Sequence, residues 1–231
     1  MRIDLNADLA EGVTDDAGLL AVVTSANVAC GFHAGDAVTM RVACGLAARH
    51  GVVVGAQVSY LDRAGFGRRA MDVPPARLEQ WVREQVEALR DLAGQEGAQV
   101  RYVKPHGALY NRIVDDEAQA RAVLTASADL PVLGLPGSAV LRLAAAGGRR
   151  TVPEGFPDRG YTDDGRLLPR DRPGALVEDA RAVAANAVRL AISGTVESVC
   201  LHGDSPAAVR TAREVRTALA AAGLEVRPWL D

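Results

Sequence analysis

The sequence alternates between short runs of β-branched or apolar residues and longer stretches with apolar residues at three- and four-residue spacing. This alternation predicts successive parallel βαβ units, because strands repeat every two residues and amphipathic helices every three to four. Seven main strands are predicted, at 2–6, 25–30, 52–58, 100–105, 131–135, 150–156 and 198–203, and a run at 224–229 is a candidate eighth. Six helices are predicted between them, at 37–50, 75–94, 116–126, 138–146, 176–193 and 205–222.

Repeated right-handed crossovers either close into a barrel or form an open doubly wound sheet. The sequence has neither a GxGxxG after the first strand nor a GxxxxGK[ST], the usual nucleotide-binding signatures of open sheets. We therefore predict an α/β fold in which residues 1–231 form a single (β/α) barrel domain, seven-stranded or distorted and TIM-like. A length of 231 residues suits one such barrel.

Composition limits the classes of molecule that the protein is expected to bind. The net charge is −3 and the cationic residues form no basic run, so a nucleic-acid surface is not expected. No stretch approaches the ~20 apolar residues of a membrane span, and the N-terminus does not resemble a secretory signal, so we expect a cytoplasmic protein. Cys30, Cys44 and Cys200 lack CxxC spacing, which disfavours a disulfide framework or structural zinc. A small polar molecule is the expected ligand.

Polar side chains cluster where the predicted strands end. In a barrel the carboxyl ends of all strands meet on one face, where catalytic residues sit, so these groups are expected to converge in one pocket. They come from six strands and are Asn6, Asp8, His33, Asp36, Gln57, Ser59, Lys104, His106, Glu154, Asp158, His202 and Asp204. His50 ends a helix before a strand, so it is expected on the opposite face as a helix cap.

Lys104 is the only lysine among 26 cationic residues. A lysine in a chain that otherwise uses arginine suggests that a compact ammonium is needed, either as a point charge on phosphate or as a tunable acid; a buried ion pair is the structural alternative. The stretch VKPHGALYN also places His106 and Asn111 around a glycine turn. These residues are candidates for the same site.

Acidic residues after the first and last predicted strands allow two interpretations. Asp8 and Glu11 either lie in the first turn of a helix or hold a divalent cation or act as general base, since carboxylates are hard oxygen ligands. Asp204 and its neighbour Ser205 are candidates for a helix N-cap, which leaves His202 to face the pocket.

Arginines in two loops are candidate anion ligands. Arg68 and Arg69 in GFGRR, and Arg159 in PDRGY, are either solvated charges or partners for a carboxylate or phosphate. Arg166 and Arg170 are expected to be solvated. They lie in the stretch 154–173, which lacks helical periodicity and is expected to fold over the barrel mouth as a flap.

Several motifs resemble one family along essentially the whole chain. They are DLNADLAEG, TSANVACGFHAGD, SYLDRAGFGRR, VKPHGALYN, DRGYTDDGRLLPR, PGAL and CLHGD, and they resemble the LamB/YcsF family, described as the A component of bacterial ATP-dependent 5-oxoprolinase. The resemblance implies a barrel related to the polysaccharide-deacetylase fold. It also implies ATP-coupled opening of 5-oxo-L-proline to L-glutamate, together with the B and C subunits and with magnesium as the ATP complex. Association of the chain with itself is left open.

The resemblance suggests roles for the predicted site. Lys104 would supply charge to phosphate oxygens, Asp8 or His33 would be the base, and His106 or Asn6 would donate to the oxyanion. Asp8, His33 and His106 would also be the ligands of any fixed metal. The residues expected to bind substrate or phosphate are Asn6, Glu11, Asp36, Arg68, Arg69, Asn111, Glu154, Arg159, His202 and Asp204.

The chain also departs from the family pattern. Gln57 and Val58 stand where His-Pro is usual, Ala7 replaces a cysteine, and the ISGTVESVC link is short. Glutamine cannot act as a base at neutral pH and is a poorer metal ligand than imidazole. Two alternatives therefore stay open, a metal-dependent deacetylase-like hydrolase of the same fold and a binding or assembly subunit without chemistry of its own.

Overall fold

Eight parallel strands form one sheet in the computed structural model, which describes residues 1–13, 15–203 and 207–230. The strands are β1 (Arg2–Leu9), β2 (Ser25–Ala29), β3 (Val53–Val58), β4 (Val100–Pro105), β5 (Val132–Gly134), β6 (Thr151–Gly155), β7 (Ser198–Leu201) and β8 (Glu225–Val226). β1 pairs with β2 on one edge and β7 on the other, so β1 to β7 close into a barrel. The prediction of a seven-stranded α/β barrel is confirmed.

The last strand lies outside this closed ring. β8 pairs with the first residues of β1, where Arg2 and Ile3 are in register with Glu225 and Val226. The predicted run at 224–229 is therefore a strand of only two residues. Trp229 beyond it packs edge-on against Tyr102, at a centroid distance of 5.6 Å.

Eight helices connect the strands within the described part of the chain. They are α1 (Asp16–Leu20), α2 (Ala37–His50), α3 (Pro75–Gln95), α4 (Gly107–Arg112), α5 (Glu117–Ala126), α6 (Ala139–Ala146), α7 (Ala180–Ile192) and α8 (Ala208–Ala221). The short α1 and α4 are not predicted from the sequence, because two turns or fewer leave no measurable periodicity. None of the described helices is both long and apolar enough to cross a membrane.

The interior of the barrel is polar. Along β1, Ile3, Leu5, Ala7 and Leu9 belong to the apolar core, whereas Asp4, Asn6 and Asp8 bond to residues of neighbouring strands within the barrel. This alternation follows from the two-residue period of a strand. Asp8 thus lies inside β1, which runs three residues beyond the predicted end at Asn6. The end of the strand was placed too early because polar residues at alternate positions interrupt its apolar pattern.

The segment between β6 and α7 is the predicted flap. Two antiparallel bridges hold it, between Arg159 and Leu176 and between Tyr161 and Leu167. The buried Arg159 side chain fixes it further, because Nε donates to Ala175 O at 3.0 Å and Nη2 to Leu168 O at 2.6 Å. The flap begins after Gly155 rather than at Glu154, which β6 includes.

Candidate active site

A cavity of about 660 Å³ opens at the carboxyl ends of the strands, beneath the flap. Its lining includes Asp8, Lys104, His106 and His202, which come from three strands and the turns that follow them. These residues are distant in sequence, and barrel closure brings them together. His33 stacks on His106 at a ring-centroid distance of 4.1 Å but does not itself line the cavity.

Glu11, His33 and His106 form a compact buried cluster. Glu11 Oε1 lies 3.5 Å from His33 Nε2 and 3.7 Å from His106 Nδ1, and the donor atoms of all three residues fall within 4.8 Å of one another. Ala10, which precedes Glu11, has a φ of 59°, so the backbone turns sharply after β1. One carboxylate and two imidazoles are a common ligand set for a divalent transition metal.

The surroundings of the two imidazoles suit metal ligation. His106 Nε2 lies 3.2 Å from Phe66 O; by donating its proton there it leaves the Nδ1 lone pair facing Glu11. Among the described residues, neither ring nitrogen of the buried His33 makes a hydrogen bond, and Nε2 has only the 3.5 Å contact with Glu11. Burial, and then the neighbouring His106, lower the pKa of His33 and keep this ring uncharged. The residues therefore fit a metal ion.

The loop between β3 and α3 holds His106 in this orientation. Phe66 has a φ of 55°, an unusual value for a bulky residue, and its carbonyl is thereby aimed at the imidazole. Gly67 O accepts from Ala108 N at 2.8 Å. A Cβ on Gly107 would lie 2.3 Å from Gly67 O, so only glycine allows this close approach.

Gln57 occupies the centre of the cluster. Its Nε2 donates to Glu11 Oε1 at 3.1 Å and contacts His106 Nδ1 at 2.9 Å, so the amide links the two ligands. Its Oε1 is buried without a hydrogen-bond partner. Rotation of the amide by half a turn would exchange these atoms and present an oxygen to an ion. Gln57 therefore competes with an ion in one orientation and can ligate it in the other.

The structure corrects the predicted metal set. Asp8 is predicted beside His33 and His106, but Glu11 takes that place. Asp8 Oδ1 instead accepts from Lys104 Nζ at 3.2 Å and from Asn27 Nδ2 at 2.9 Å. Its second oxygen, Oδ2, lies 3.8 Å from His106 Nδ1, so Asp8 borders the cluster. A turn at Ala10 that brings Glu11 back over the barrel is not readable from sequence spacing.

Lys104 lies at the centre of a buried ion pair. Its Nζ is 3.1 Å from Glu154 Oε2, 3.2 Å from Asp8 Oδ1 and 2.9 Å from Cys200 Sγ, and the side chain is 2% exposed. Burial opposes its charge, but the carboxylates outweigh burial and raise the pKa of Lys104 well above its usual range. The ammonium thus forms the buried ion pair that was given above as the structural alternative.

The pKa values of the two carboxylates beside Lys104 are shifted in opposite directions. Burial works against ionisation of Asp8, yet Lys104 and His106 lower its pKa well below the usual value. Burial raises the pKa of Glu154, and Lys104 only partly offsets this. Asp8 is therefore the ionised carboxylate that faces the cavity, whereas Glu154 is buried under it.

A second pair of titratable groups lies on the flap side of the cavity. His202 Nδ1 is 2.8 Å from Asp158 Oδ2, which also accepts from the His202 backbone N–H at 3.1 Å. Burial counts against a charged ring, but Asp158 outweighs it and raises the pKa of His202. Stacking on Phe156 orients the ring, which lines the cavity.

The remaining predicted residues fall into three groups. Arg68, Asn111 and Arg159 line the cavity. Asn6 bonds to Ser198 and Asn27 inside the barrel, below the cavity. Asp204 and Ser205 lie outside the described residues.

Two predicted site residues do not line the cavity. Asp36 is predicted beside His33, but it is exposed and caps α2, accepting from Val38 N and Thr39 N. Arg69 is exposed and pairs with Asp62 at 3.8 Å. Asp36 and Arg69 are close in sequence to His33 and Arg68, respectively, but their side chains point away from the site. His50 ends α2, before β3 and away from the site, as predicted.

Sequence reasoning also missed residues of the cavity. Arg166 and Arg170 are predicted to be solvated, yet both line it, because the flap folds back over the barrel mouth. Tyr110 and Phe156 line it as well. The density of arginines in DGRLLPR was the available signal, but solvated arginines produce the same pattern.

The fold is that of a TIM-like barrel. A family 4 carbohydrate esterase from Streptomyces lividans has the same fold, with a TM-score of 0.56 and 14% identity over 97% of this chain and 91% of that one. Within this class the chain belongs to the LamB/YcsF family, whose model matches residues 3–231.

Two relatives are more similar. A protein from Streptomyces avermitilis, named as the A subunit of 5-oxoprolinase, is 56% identical, over 97% of this chain and 98% of its own length. The crystal structure of a lactam utilization protein from Thermus thermophilus superposes with a TM-score of 0.91 at 38% identity, covering 98% of this chain and 99% of that one.

Proposed function

We propose that this chain is the A subunit of an ATP-dependent 5-oxoprolinase and that it contributes to opening the lactam of 5-oxo-L-proline to L-glutamate. The observation that carries this proposal is 56% identity over nearly the full length to a relative named as the A subunit of 5-oxoprolinase. The buried cluster at the barrel mouth supports a hydrolytic role. The B and C subunits are the proposed partners, and ATP is the proposed co-substrate.

The chemistry of a lactam explains why ATP is needed. The carbonyl is a poor electrophile and its nitrogen is a poor leaving group. Phosphorylation of the carbonyl oxygen would relieve both difficulties, and the site must then supply a base for water and a proton for the nitrogen. We infer that the ATP site is shared with the partner subunits.

The site contains residues suited to the roles of base and acid. Asp8, held ionised by Lys104, is the proposed base, and His202, oriented by Asp158, is the proposed acid. Glu11, His33 and His106 would hold a divalent metal, which would polarise an oxygen of water or substrate. Lys104 keeps Asp8 in place and supplies a fixed positive charge next to it.

A metal-dependent amide hydrolase that needs no ATP is the second candidate. The Glu11, His33 and His106 cluster, on a barrel of the deacetylase type, favours it. The proposals differ in one observable, because only the first requires nucleotide hydrolysis for each lactam opened.

The test is an assay of the chain co-purified with the B and C subunits. We expect glutamate to form with stoichiometric ADP in the complete complex, and little or none with the chain alone. Asp8→Asn should lower turnover about 100-fold or more, because the base is lost while the side chain keeps its size. Arg83→Gln, on the outer face of α3 where Arg83 pairs with Glu79, is the matched control.

Three results would contradict the proposal. ATP-coupled turnover by the single chain would contradict the proposal that the ATP site is shared between subunits. Lactam opening without ATP would favour the second candidate. An inactive complex with correctly folded subunits would leave an assembly role for this chain.

A further inference from the structure

Three arginines meet on the flap side of the cavity. Arg159 and Arg170 belong to the flap, and Arg68 follows the loop that holds His106; all three line the cavity. Burial, and then the positive charges of Arg170 and Arg68, lower the pKa of Arg159. Arg170 and Arg68 thus each oppose the charge of Arg159, and Asp158 partly offsets their effect.

Basic side chains outnumber acidic ones in the cavity lining. Among the described residues, five arginines and Lys104 line it, together with two carboxylates, those of Asp8 and Asp115. Asp8 pairs with Lys104 at 3.2 Å, and Asp115 pairs with Arg166 at 2.5 Å. Arg112 pairs with Asp116, which lies outside the lining, at 2.7 Å.

Two of these side chains are also held in place. Arg159 donates to two backbone carbonyls of the flap, as described above. The Arg68 guanidinium lies 4.9 Å above the centre of the Phe66 ring, whose own backbone carbonyl orients His106. Preorganised guanidiniums are the protein groups best suited to bind planar or tetrahedral oxyanions.

We propose that Arg68, Arg159 and Arg170 form an oxyanion subsite that binds a carboxylate or phosphate of the ligand. The inference rests on the proposed function for the identity of the ligand. In that reaction 5-oxoproline carries a ring carboxylate, and a phosphoryl group is transferred, so either group can fill the subsite. An anion bound there would bridge the flap to the barrel and offset the positive charges that oppose the charge of Arg159.

The experiment measures binding to the isolated full-length chain by calorimetry. The probes are 5-oxo-L-proline, 2-pyrrolidinone, which is the same lactam without the carboxylate, and inorganic phosphate. Arg68→Gln and Arg170→Gln are compared with Arg83→Gln, and thermal melting checks that each variant is folded. We expect each cavity variant to weaken anion binding on the order of 10- to 100-fold, with no effect of the control.

The probes separate the two sources of the anion. Arginine-dependent binding of 5-oxoproline, with pyrrolidinone bound poorly by every variant, identifies the carboxylate. Arginine-dependent binding of phosphate alone identifies a phosphoryl subsite. If the folded wild-type chain binds neither anion, or if the cavity variants bind as the wild type does, the subsite does not exist.

The outcome is independent of the proposed function. An inactive complex in which this chain still binds phosphate through Arg68 would refute the 5-oxoprolinase proposal and leave the subsite standing. An active complex whose KM values for 5-oxoproline and for ATP are both unchanged by Arg68→Gln and Arg170→Gln would do the opposite.

Discussion

Lys104, His106 and His202 show what a single residue can reveal before the fold is known. Each follows or ends an apolar run, so its place at the barrel mouth was predictable from strand periodicity alone. The direction of a side chain was not predictable. Glu11 reaches the cluster through a turn at Ala10, and Asp36 points away because the free N–H groups of α2 bind it.

Gln57 is the residue that most affects the metal affinity of the cluster. We expect Gln57→His to tighten zinc binding by about tenfold or more, because an imidazole nitrogen would replace an amide that donates to Glu11 and contacts His106. Calorimetric titration of zinc into the metal-free chain measures this. Gln80→His, on the exposed face of α3, is the control for adventitious binding. Equal affinity in wild type and Gln57→His would show that Gln57 does not touch the ion.

At the scale of elements, helix ends and loops explain most differences between prediction and structure. α7 begins at Ala180 rather than near 176, because Asp179 caps it and accepts from Ala182 N. The long helices were predictable from their apolar faces. α4 was not, since its place depends on a contact between two loops that are distant in sequence.

That contact between loops predicts an effect of Gly107→Ala. Gly107 has a φ of 60°, and a Cβ there would lie 2.3 Å from Gly67 O. We expect the substitution to destabilise the chain by about 3 kcal/mol or more, and to weaken metal binding because Phe66 O would lose its position beside His106. Gly97→Ala is the matched control, with a φ of 75° and no atom within 4 Å of the new Cβ.

Urea denaturation and zinc titration of both variants test this expectation. The control should show only the cost of the backbone conformation, about 1 to 2 kcal/mol. A Gly107→Ala chain that is no less stable than Gly97→Ala, and that binds zinc normally, would mean that the loop does not position the imidazole.

At the scale of the molecule, the polar barrel interior was the least predictable feature. Asp4, Ser25 and Ser198 are buried at the amino-terminal side of the ring, where Asp4 accepts from both serines. Apolar runs identified the strands correctly, because the alternate positions that face the helices are apolar. In the sequence, the polar positions between them look like solvent-facing residues, because the pattern does not show that the sheet closes into a barrel. The cytoplasmic location stays a prediction.

The buried Asp4 makes the stability of the whole barrel depend on pH. Burial raises its pKa to about 6, while an unfolded chain holds it near the ordinary value. Between these values the folded state binds more protons, so Asp4 makes stability fall as pH rises from about 4 to about 6, by roughly 3 kcal/mol in total. Asp4→Asn should remove that component of the pH profile.

Urea denaturation of wild type and Asp4→Asn at several pH values measures this component as a difference. Asp91→Asn, at an exposed position of α3, should leave the profile unchanged. Parallel profiles of wild type and Asp4→Asn would show that Asp4 titrates alike in the folded and unfolded chain.

The pairing of β1 with both β2 and β7 has a consequence for synthesis. β1 leaves the ribosome before β7, so one of its edges has no partner until residues 198–201 have been made. At ~5–20 residues per second that edge stays open for roughly 10 to 40 seconds, during which a nascent chain is open to wrong strand pairing. The polar residues at alternate positions of β1, Asp4, Asn6 and Asp8, discourage such pairing, because an apolar partner strand would have to bury them. The groups that later build the site thus also protect the unfinished chain.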